Sequence, residues 1–147
     1  MIIAGYPGIG KTTLASKNNS VIDLESSHFR GIKDWYKYYV EVAKSLSRQG
    51  FTVFVSTHPA VIERLITTVP DKYTGLIYPS IKLKDKWVEK AGERLTSKPS
   101  DKNYRAYVRV FENFEDDVKY FDSYNIKKIE IDDIDYKLGD VVERMVS

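Results

Sequence analysis

The sequence predicts one α/β domain, with three layers and a five-stranded, mainly parallel sheet at its centre. Short apolar, β-branched segments alternate with segments of helical periodicity along the chain, which is typical of βαβ units. A chain of 147 residues with 42% hydrophobic content can bury one core but is too short for two independent domains. We therefore expect residues 1–147 to form a single domain.

The first half of the chain predicts three strands and three helices in alternation. The run that contains Val53 is apolar and β-branched almost throughout, as expected of a strand covered on both faces. Gly50 stands where a helix C-cap glycine belongs, and Pro59 stands in the first turn of the next helix. The predicted strands are 1–4, 21–25 and 51–56, and the predicted helices are 13–17, 35–46 and 59–67.

The second half continues the alternation. Its predicted strands are 75–78 and 126–131, and its predicted helices are 87–95, 104–121 and 138–145. The polar stretch 96–103 predicts a mobile loop. The long helix carries apolar residues at three-four spacing, and this stripe predicts a face directed to the core. Its members are Tyr104, Tyr107 or Val108, Phe111, Phe114, Val118 and Phe121.

Composition excludes several classes of protein. A net charge of +2 from 23 basic and 21 acidic residues predicts no nucleic-acid polymer as a partner. The absence of cysteine excludes disulfides and thiolate metal sites, and two histidines are too few for a typical zinc site. No apolar run approaches the ~18 residues of a membrane span, and the chain begins in a predicted strand with no room for a signal peptide. We expect a cytoplasmic protein without a membrane partner, and the sequence makes no prediction about its oligomeric state.

Residues 5–12 match G-x-x-x-x-G-K-[ST], the phosphate-binding P-loop, and they follow the first predicted strand. Glycines let such a loop fold around phosphate, and backbone N–H groups with a helix N-terminus attract the anion. Lys11 supplies a fixed charge and Thr12 can bind Mg²⁺. The sequence therefore predicts ATP and Mg²⁺ as cofactors. The predicted nucleotide-binding residues are Gly5, Tyr6, Pro7, Gly8, Ile9, Gly10, Lys11, Thr12 and Thr13.

The P-loop, the carboxylates that end the second strand and a basic loop before a late helix together resemble the small P-loop kinases. This group includes nucleoside monophosphate kinases, shikimate kinase and gluconate kinase. The resemblance implies a P-loop NTPase fold with a five-stranded sheet, an acceptor-binding segment at about 23–40 and a short lid at about 94–109. It implies ATP-dependent phosphoryl transfer to a small molecule, with a nucleoside or deoxynucleoside monophosphate as the expected acceptor.

Two alternatives remain open at this stage. The first is a metabolite kinase that phosphorylates a hydroxyl, as shikimate and gluconate kinases do. The second is an ATP-binding regulatory module without transferase activity, in which ATP orders the lid for a partner. A GTPase switch is disfavoured because the chain has no N/T-K-x-D motif.

The segment after the second strand is the expected acceptor site. By similarity with the acidic pair of shikimate kinase, Asp23 would hold a Mg²⁺-bound water and Glu25 would orient or deprotonate the acceptor. Thr12 and Asp23 are thus the expected metal ligands. The competing interpretation is a solvated strand end in which Ser26 caps a turn. The expected substrate-binding residues are Asp23, Glu25, Ser26, Ser27 and Arg30.

Aromatic residues close to Arg30 suggest a place for a base or sugar ring beside an acceptor phosphate. Phe29, Trp35 and Tyr36 would supply stacking and Arg30 a guanidinium fork. Against this, Trp35 also fits the apolar stripe of a helix.

The third strand ends in Val-Ser-Thr-His, without the aspartate that often follows this strand in P-loop ATPases. Magnesium would then depend on Thr12, the phosphates, water and Asp23, while Ser56 could reach the metal-bound water. His58 is not assigned a catalytic role.

The resemblance also directs attention to the basic residues of the expected lid. Arg105 and Arg109 are one helical turn apart and can project from one face, so we expect them to neutralise transferring phosphates, as lid arginines of nucleoside monophosphate kinases do. With Lys11 and Glu25 they form the expected catalytic set. Arg94, Lys98 and Lys102 are weaker candidates, and salt bridges to Glu112, Glu115 and Asp116 are the competing explanation.

Overall fold

The computed structural model describes all 147 residues and contains the five strands and six helices that the sequence predicts. The strands are β1 (Ile2–Gly5), β2 (Val21–Asp23), β3 (Thr52–Val55), β4 (Thr74–Pro79) and β5 (Lys128–Ile131). The helices are α1 (Lys11–Lys17), α2 (Trp35–Arg48), α3 (Pro59–Thr68), α4 (Lys84–Ser97), α5 (Asp101–Ser123) and α6 (Leu138–Val146). Short 3₁₀ turns lie at Ser26–His28, Asp71–Tyr73 and Ile81–Leu83. None of the helices combines the length and apolar composition of a transmembrane span.

All five strands are parallel, in the order β2-β3-β1-β4-β5. The connection from β1 to β2 runs across the sheet in one direction, and the later connections run in the other. Right-handed crossovers therefore place α1 on one face and α2 to α5 on the opposite face. Helix α6 packs on α1, so both faces are covered. The predicted α/β class with a parallel sheet is confirmed.

Strand β1 is the central strand of the sheet and is buried at every residue. Ile2, Ile3 and Ala4 are at most 1% exposed, because β3 and β4 pair with β1 on its two sides. Gly75 of β4 is in register with Ile3, and Met145 of α6 fills the space above it. The apolar strand interiors therefore fix the sheet, and the carboxyl ends of all five strands meet at one edge.

The polar stretch 96–103 is not the loop that the sequence predicted. Helix α4 continues to Ser97 and α5 begins at Asp101, so only residues 98–100 connect them. The Ser100 side chain accepts a hydrogen bond from the Asn103 N–H at 3.0 Å and caps α5. The polar residues are therefore divided between the end of α4, a three-residue connection and the first turn of α5, and α4 and α5 pack together as a helical hairpin.

The predicted core stripe of α5 is correct only in its second half. Phe114 and Phe121 are buried and contact Tyr6 edge-on, whereas Tyr104 and Phe111 are 59% and 60% exposed. The first half of α5 extends beyond the sheet edge, where α4 is the helix that packs on it. Helical periodicity therefore identified the helix, but only its sheet-packed half is core.

Candidate functional site

A cleft of about 1220 Å³ lies at the carboxyl edge of the sheet, between the loop after β1, the segment after β2 and the α4–α5 hairpin. This is the edge where ligands bind in open α/β sheets. Most of the expected site residues line it, and they come from three separate parts of the chain. The residues that line it are Gly5, Pro7, Gly8, Gly10, Lys11, Thr12, Thr13, Asp23, Glu25, Ser26, Ser27, Arg30, Arg105 and Arg109.

The loop after β1 takes its shape from two glycines. Gly8 has φ of 94° and Gly10 has φ of 105°, both in the left-handed region. A side chain at either position would be strained, which explains why the sequence has glycine at both. The loop thus turns back on itself and leads directly into α1.

Five backbone N–H groups of this loop and the first turn of α1 have no acceptor within the protein. In contrast, Tyr6 N–H donates to the Ile77 carbonyl at 3.0 Å and Ile9 N–H to the Tyr6 carbonyl at 3.3 Å. Clustered donors without partners at a helix start form a concave site for an anion. The five unpaired N–H groups belong to Gly8, Gly10, Lys11, Thr12 and Thr13.

Lys11 is the first residue of α1 and lines the cleft. Its Nζ donates a hydrogen bond to the Gly5 carbonyl at 2.8 Å. Burial lowers the pKa of Lys11 to about 8, while the nearby Asp23 carboxylate opposes the shift. Because Lys11 is half-buried and lines the cleft, its cation can attract a phosphate there.

The two residues expected to bind metal lie side by side. Thr12 Oγ1 donates to Asp23 Oδ2 at 2.8 Å, joining the start of α1 to the end of β2. A hydroxyl and a carboxylate are oxygen donors of the kind that Mg²⁺ prefers, and Mg²⁺ usually completes its shell with phosphate and water. The pair therefore fits a magnesium ion beside the anion site.

Tyr6 and Ile9 were expected to contact the nucleotide, but they do not line the cleft. Both are buried beneath the loop. The Tyr6 hydroxyl donates to Asp117 Oδ2 at 3.3 Å, and its ring packs on α5. These side chains support the loop from below.

The segment after β2 faces the α4–α5 hairpin across the cleft. Glu25 forms an ion pair with Lys102 of α5. Ser26 Oγ accepts a hydrogen bond from Arg30 Nε at 3.2 Å, so its side chain does not cap the 3₁₀ turn. Ser27 is exposed and makes no side-chain hydrogen bond. The segment therefore presents both charges and hydroxyls to the cleft.

The aromatic residues near Arg30 pack away from the cleft. Trp35 contacts His58 edge-on and Tyr39 at a tilt of 57°, and the Arg30 guanidinium lies 5.2 Å above the Trp35 ring. Phe29 packs on Tyr39 as well. None of Phe29, Trp35 and Tyr36 lines the cleft, so a stacking role for them gains no support.

Tyr39 is a site residue that the sequence did not single out. Its hydroxyl donates to the Leu24 carbonyl at 2.5 Å and accepts from the Ser56 N–H at 2.9 Å. It thereby fixes the segment after β2 to the end of β3. Tyr39 lies within the predicted helix 35–46, and the helical periodicity gave no signal of these two hydrogen bonds.

The end of β3 supplies polar groups instead of an acid. His58 Nδ1 accepts from the Ala60 N–H at 3.2 Å and caps α3, and burial together with Arg30 and Arg109 lowers the pKa of His58. Thr57 is 1% exposed, and its hydroxyl has no hydrogen-bond partner. His58 therefore has a structural function in the ordering of this edge.

The two expected lid arginines differ in their surroundings. Arg109 Nε donates to Asp117 Oδ2 at 3.1 Å, and its guanidinium lies 5.4 Å above the Tyr6 ring. Arg105 is exposed and forms no ion pair. Glu115 pairs with Lys84 instead, so the acidic residues proposed as competing partners do not bind either arginine. Both arginines remain directed to the cleft.

The sequence patterns did not identify three further residues that line the cleft. Asn113 and Asp117 continue the four-residue spacing of Arg105 and Arg109, so all four occupy one face of α5. Lys90 stands four residues before Arg94 on α4 in the same way. This periodic signal was visible in the sequence, but the stripe of apolar residues concealed it.

The cleft concentrates positive charge. Its lining contains eight Lys and Arg side chains against four Asp and Glu, whereas the whole chain has an excess of only two. Only three of its 32 lining residues are hydrophobic. The arrangement is therefore suited to a polyanionic, polar ligand.

Compared with protein-family models and with curated proteins, the chain matches none.

Proposed function

We propose that this protein is a P-loop phosphotransferase of the small-kinase type that transfers the γ-phosphoryl group of Mg²⁺-ATP to a small acceptor. The proposed acceptor is a nucleoside or deoxynucleoside monophosphate. The observation that carries the proposal is the cluster of five unpaired N–H groups around Lys11, within a G-x-x-x-x-G-K-T loop after the central strand.

The architecture supports the assignment of this α/β domain to the P-loop NTPase fold. The loop joins β1 to α1 at the carboxyl edge, and the helix starts at the lysine of the motif. The α4–α5 hairpin is the proposed lid, and ten of its residues between 94 and 109 line the cleft.

On the donor side, the loop N–H groups and Lys11 would bind the β- and γ-phosphates of ATP. Thr12 and Asp23 would hold Mg²⁺, which supplies charge neutralisation on the phosphate oxygens. Arg105, free of other partners, would approach the transferring group when the hairpin closes. These residues act by positioning and charge, which is the main requirement of phosphoryl transfer.

On the acceptor side, Arg30 and Arg109 would bind the phosphate of a monophosphate. An acceptor phosphate oxygen forms the new P–O bond while the bond between the γ-phosphorus and the bridging oxygen breaks, and ADP leaves. A phosphate acceptor is already anionic near neutral pH, so this reaction needs no base.

A hydroxyl acceptor is the second candidate, and two observations favour it. Glu25 lies in the cleft, and hydrophobic side chains for a nucleobase are scarce there. In that reaction the hydroxyl proton would pass to the Glu25 carboxylate as the new bond forms.

Phosphorus NMR of the purified protein with Mg²⁺-ATP tests these alternatives directly. The acceptor panel comprises ribo- and deoxynucleoside monophosphates, shikimate and gluconate. A new diphosphate signal identifies a nucleotide kinase, whereas a new phosphomonoester identifies a metabolite kinase. ATP binding with no new signal for any acceptor would favour the non-catalytic regulatory module.

Lys11→Ala is the matched test of the donor site. It should abolish turnover while the circular dichroism spectrum and melting temperature stay close to those of the wild type. Lys119→Ala, an exposed lysine of α5 outside the cleft, is the control and should leave turnover unchanged. Full turnover in a folded Lys11→Ala protein would contradict the assigned phosphate site.

A further inference from the structure

Two aromatic side chains from distant parts of the chain hold the phosphate-binding loop from behind. Trp87 Nε1 of α4 donates to the Pro7 carbonyl at 2.8 Å. The hydroxyl of Tyr136, which precedes α6, donates to the Ile9 carbonyl at 2.8 Å. The two rings stack at 6.2 Å with 13° between their planes.

The two carbonyls that accept these hydrogen bonds belong to peptide groups whose N–H donors are unpaired. The Pro7 carbonyl shares a peptide plane with the Gly8 N–H, and the Ile9 carbonyl shares one with the Gly10 N–H. The chain contains no cis peptide bond. In a planar trans peptide, C=O and N–H point in opposite directions. A hydrogen bond that fixes each carbonyl therefore also fixes the direction of the N–H opposite it.

Both of those N–H groups have no acceptor within the protein. Gly8 also makes room for this arrangement, because a Cβ at that position would lie 3.0 Å from Trp87 Nε1. Trp87 is 1% exposed, so its N–H has no access to bulk water. Burial raises the pKa of Tyr136, which keeps its hydroxyl protonated as a donor.

We infer that Trp87 and Tyr136 are positioning residues for phosphate binding: they hold two loop carbonyls so that the Gly8 and Gly10 N–H groups are directed at the anion. We refer to this pair as the aromatic brace. This inference rests on the proposed nucleotide site, and it explains what fixes the shape of the loop. Orientation before binding reduces the ordering that the ligand must impose, and so increases affinity.

The test uses Tyr136→Phe and Trp87→Phe, each of which removes one donor but keeps an aromatic ring. Tyr120→Phe, an exposed tyrosine of α5 remote from the loop, is the control. Inorganic tripolyphosphate is the probe, because it reports on the phosphate site without a base or sugar. Calorimetry should show Kd for tripolyphosphate and for Mg²⁺-ATP raised by the same factor, roughly 5- to 10-fold per variant, as expected for one hydrogen bond. The control should bind as the wild type does.

A second measurement needs no ligand. In ¹⁵N-resolved NMR spectra, Tyr136→Phe should shift the Gly10 amide signal more than that of Gly8, and Trp87→Phe should have the reverse effect. Because Tyr136→Phe keeps the aromatic ring, its shift of the Gly10 signal reports the lost hydrogen bond and not a change in ring packing. Because Tyr136→Phe removes a single oxygen atom, it keeps the test valid if Trp87→Phe does not fold.

The outcomes distinguish a failure of the inferred role of the aromatic brace from a failure of the proposed function. If folded Tyr136→Phe binds tripolyphosphate within about twofold of the wild type and leaves the Gly10 signal in place, the inference is overturned. If the wild type binds neither tripolyphosphate nor ATP, the proposed function fails, and the phosphate role of the brace fails with it.

Discussion

Lys102 at the start of α5 forms an ion pair with Glu25, which precedes it by 77 residues in the chain. The contact spans the cleft from the proposed lid to the proposed acceptor segment. Both side chains are partly exposed, so the pair contributes little to stability. Its importance lies in its position, since an acceptor that uses Glu25 must compete with Lys102.

Glu25→Gln should therefore distinguish the two classes of acceptor. With a hydroxyl acceptor, loss of the base should reduce kcat by roughly 10²- to 10⁴-fold. With a monophosphate acceptor, the effect should fall mainly on KM. Steady-state kinetics with both acceptors measures the difference. Glu112→Gln, an exposed residue of α5 outside the cleft, should change neither constant. Unchanged kinetics in Glu25→Gln for every acceptor would remove Glu25 from the site.

The Thr12–Asp23 pair predicts the magnesium dependence of the reaction. Thr12→Val removes the hydroxyl and nearly preserves the shape of the side chain, so it should raise the Mg²⁺ concentration for half-maximal activity by roughly tenfold or more. Asp23→Asn should act in the same direction. Activity titrated against Mg²⁺ at saturating ATP measures the shift. Thr67→Val on α3 serves as the matched control, and a wild-type titration curve for Thr12→Val would exclude the hydroxyl as a metal ligand.

The pKa of Lys11 predicts how nucleotide binding depends on pH. Because burial lowers this pKa from 10.5 to about 8, the side chain loses its charge above pH 8 in the empty site. Kd for ATP should rise with pH in that range, approaching roughly tenfold per unit. Binding near pH 8 should be accompanied by proton uptake, which calorimetry in two buffers of different ionisation enthalpy detects.

Lys11→Arg is the control for this dependence, because a guanidinium stays charged throughout the range. Its binding should be independent of pH, whatever its absolute affinity. In the empty wild-type protein, the unfolded chain binds more protons between the two pKa values. The contribution of Lys11 to the free energy of unfolding should therefore rise with pH from about 8 to 10.5. A flat ATP-binding profile in the wild type would contradict the lowered pKa.

Gly75 and Met145 provide a test of the fold itself. A Cβ on Gly75 would lie 2.4 Å from Met145 Sδ, and Met145 is fully buried. Gly75→Ala should lower the free energy of unfolding by about 1–3 kcal/mol through overpacking. Urea denaturation measures the loss, and adding Met145→Ala should cost less in the Gly75→Ala protein than in the wild type. Gly31→Ala, with no atom within 4 Å of its Cβ position, should stay within about 0.5 kcal/mol of wild type.

Local patterns in the sequence were sufficient for the sheet and the helices. Unbroken β-branched runs gave β3, and glycine spacing gave the loop around Lys11, because both depend on neighbouring residues. The start of α5 was missed because serine, aspartate and asparagine favour turns and helix N-termini alike. Serine is a preferred helix N-cap residue, so the cap at Ser100 agrees with its residue type.

The sequence patterns could not predict contacts between residues that are distant in the chain. Trp87 fitted a core stripe, and nothing local indicated that its N–H would reach Pro7, 80 residues away. Tyr136 and Ile9 are separated by 127 residues. Such bonds arise only when the sheet brings the loop, α4 and the start of α6 together. The sequence therefore identified the residues that line the cleft better than those that hold the loop behind it.

The length of α5 gives the hairpin a mechanical property. Val110 is the first residue of the helix that is buried in the core, and Lys102 lies about 12 Å before it at 1.5 Å per residue. A bend of about 12° at Val110 would carry Lys102 through roughly 2.5 Å at this length, enough to break its contact with Glu25. Such a bend would exchange the internal ion pair for the proposed bound anion while the core-packed turns of α5 stay in place.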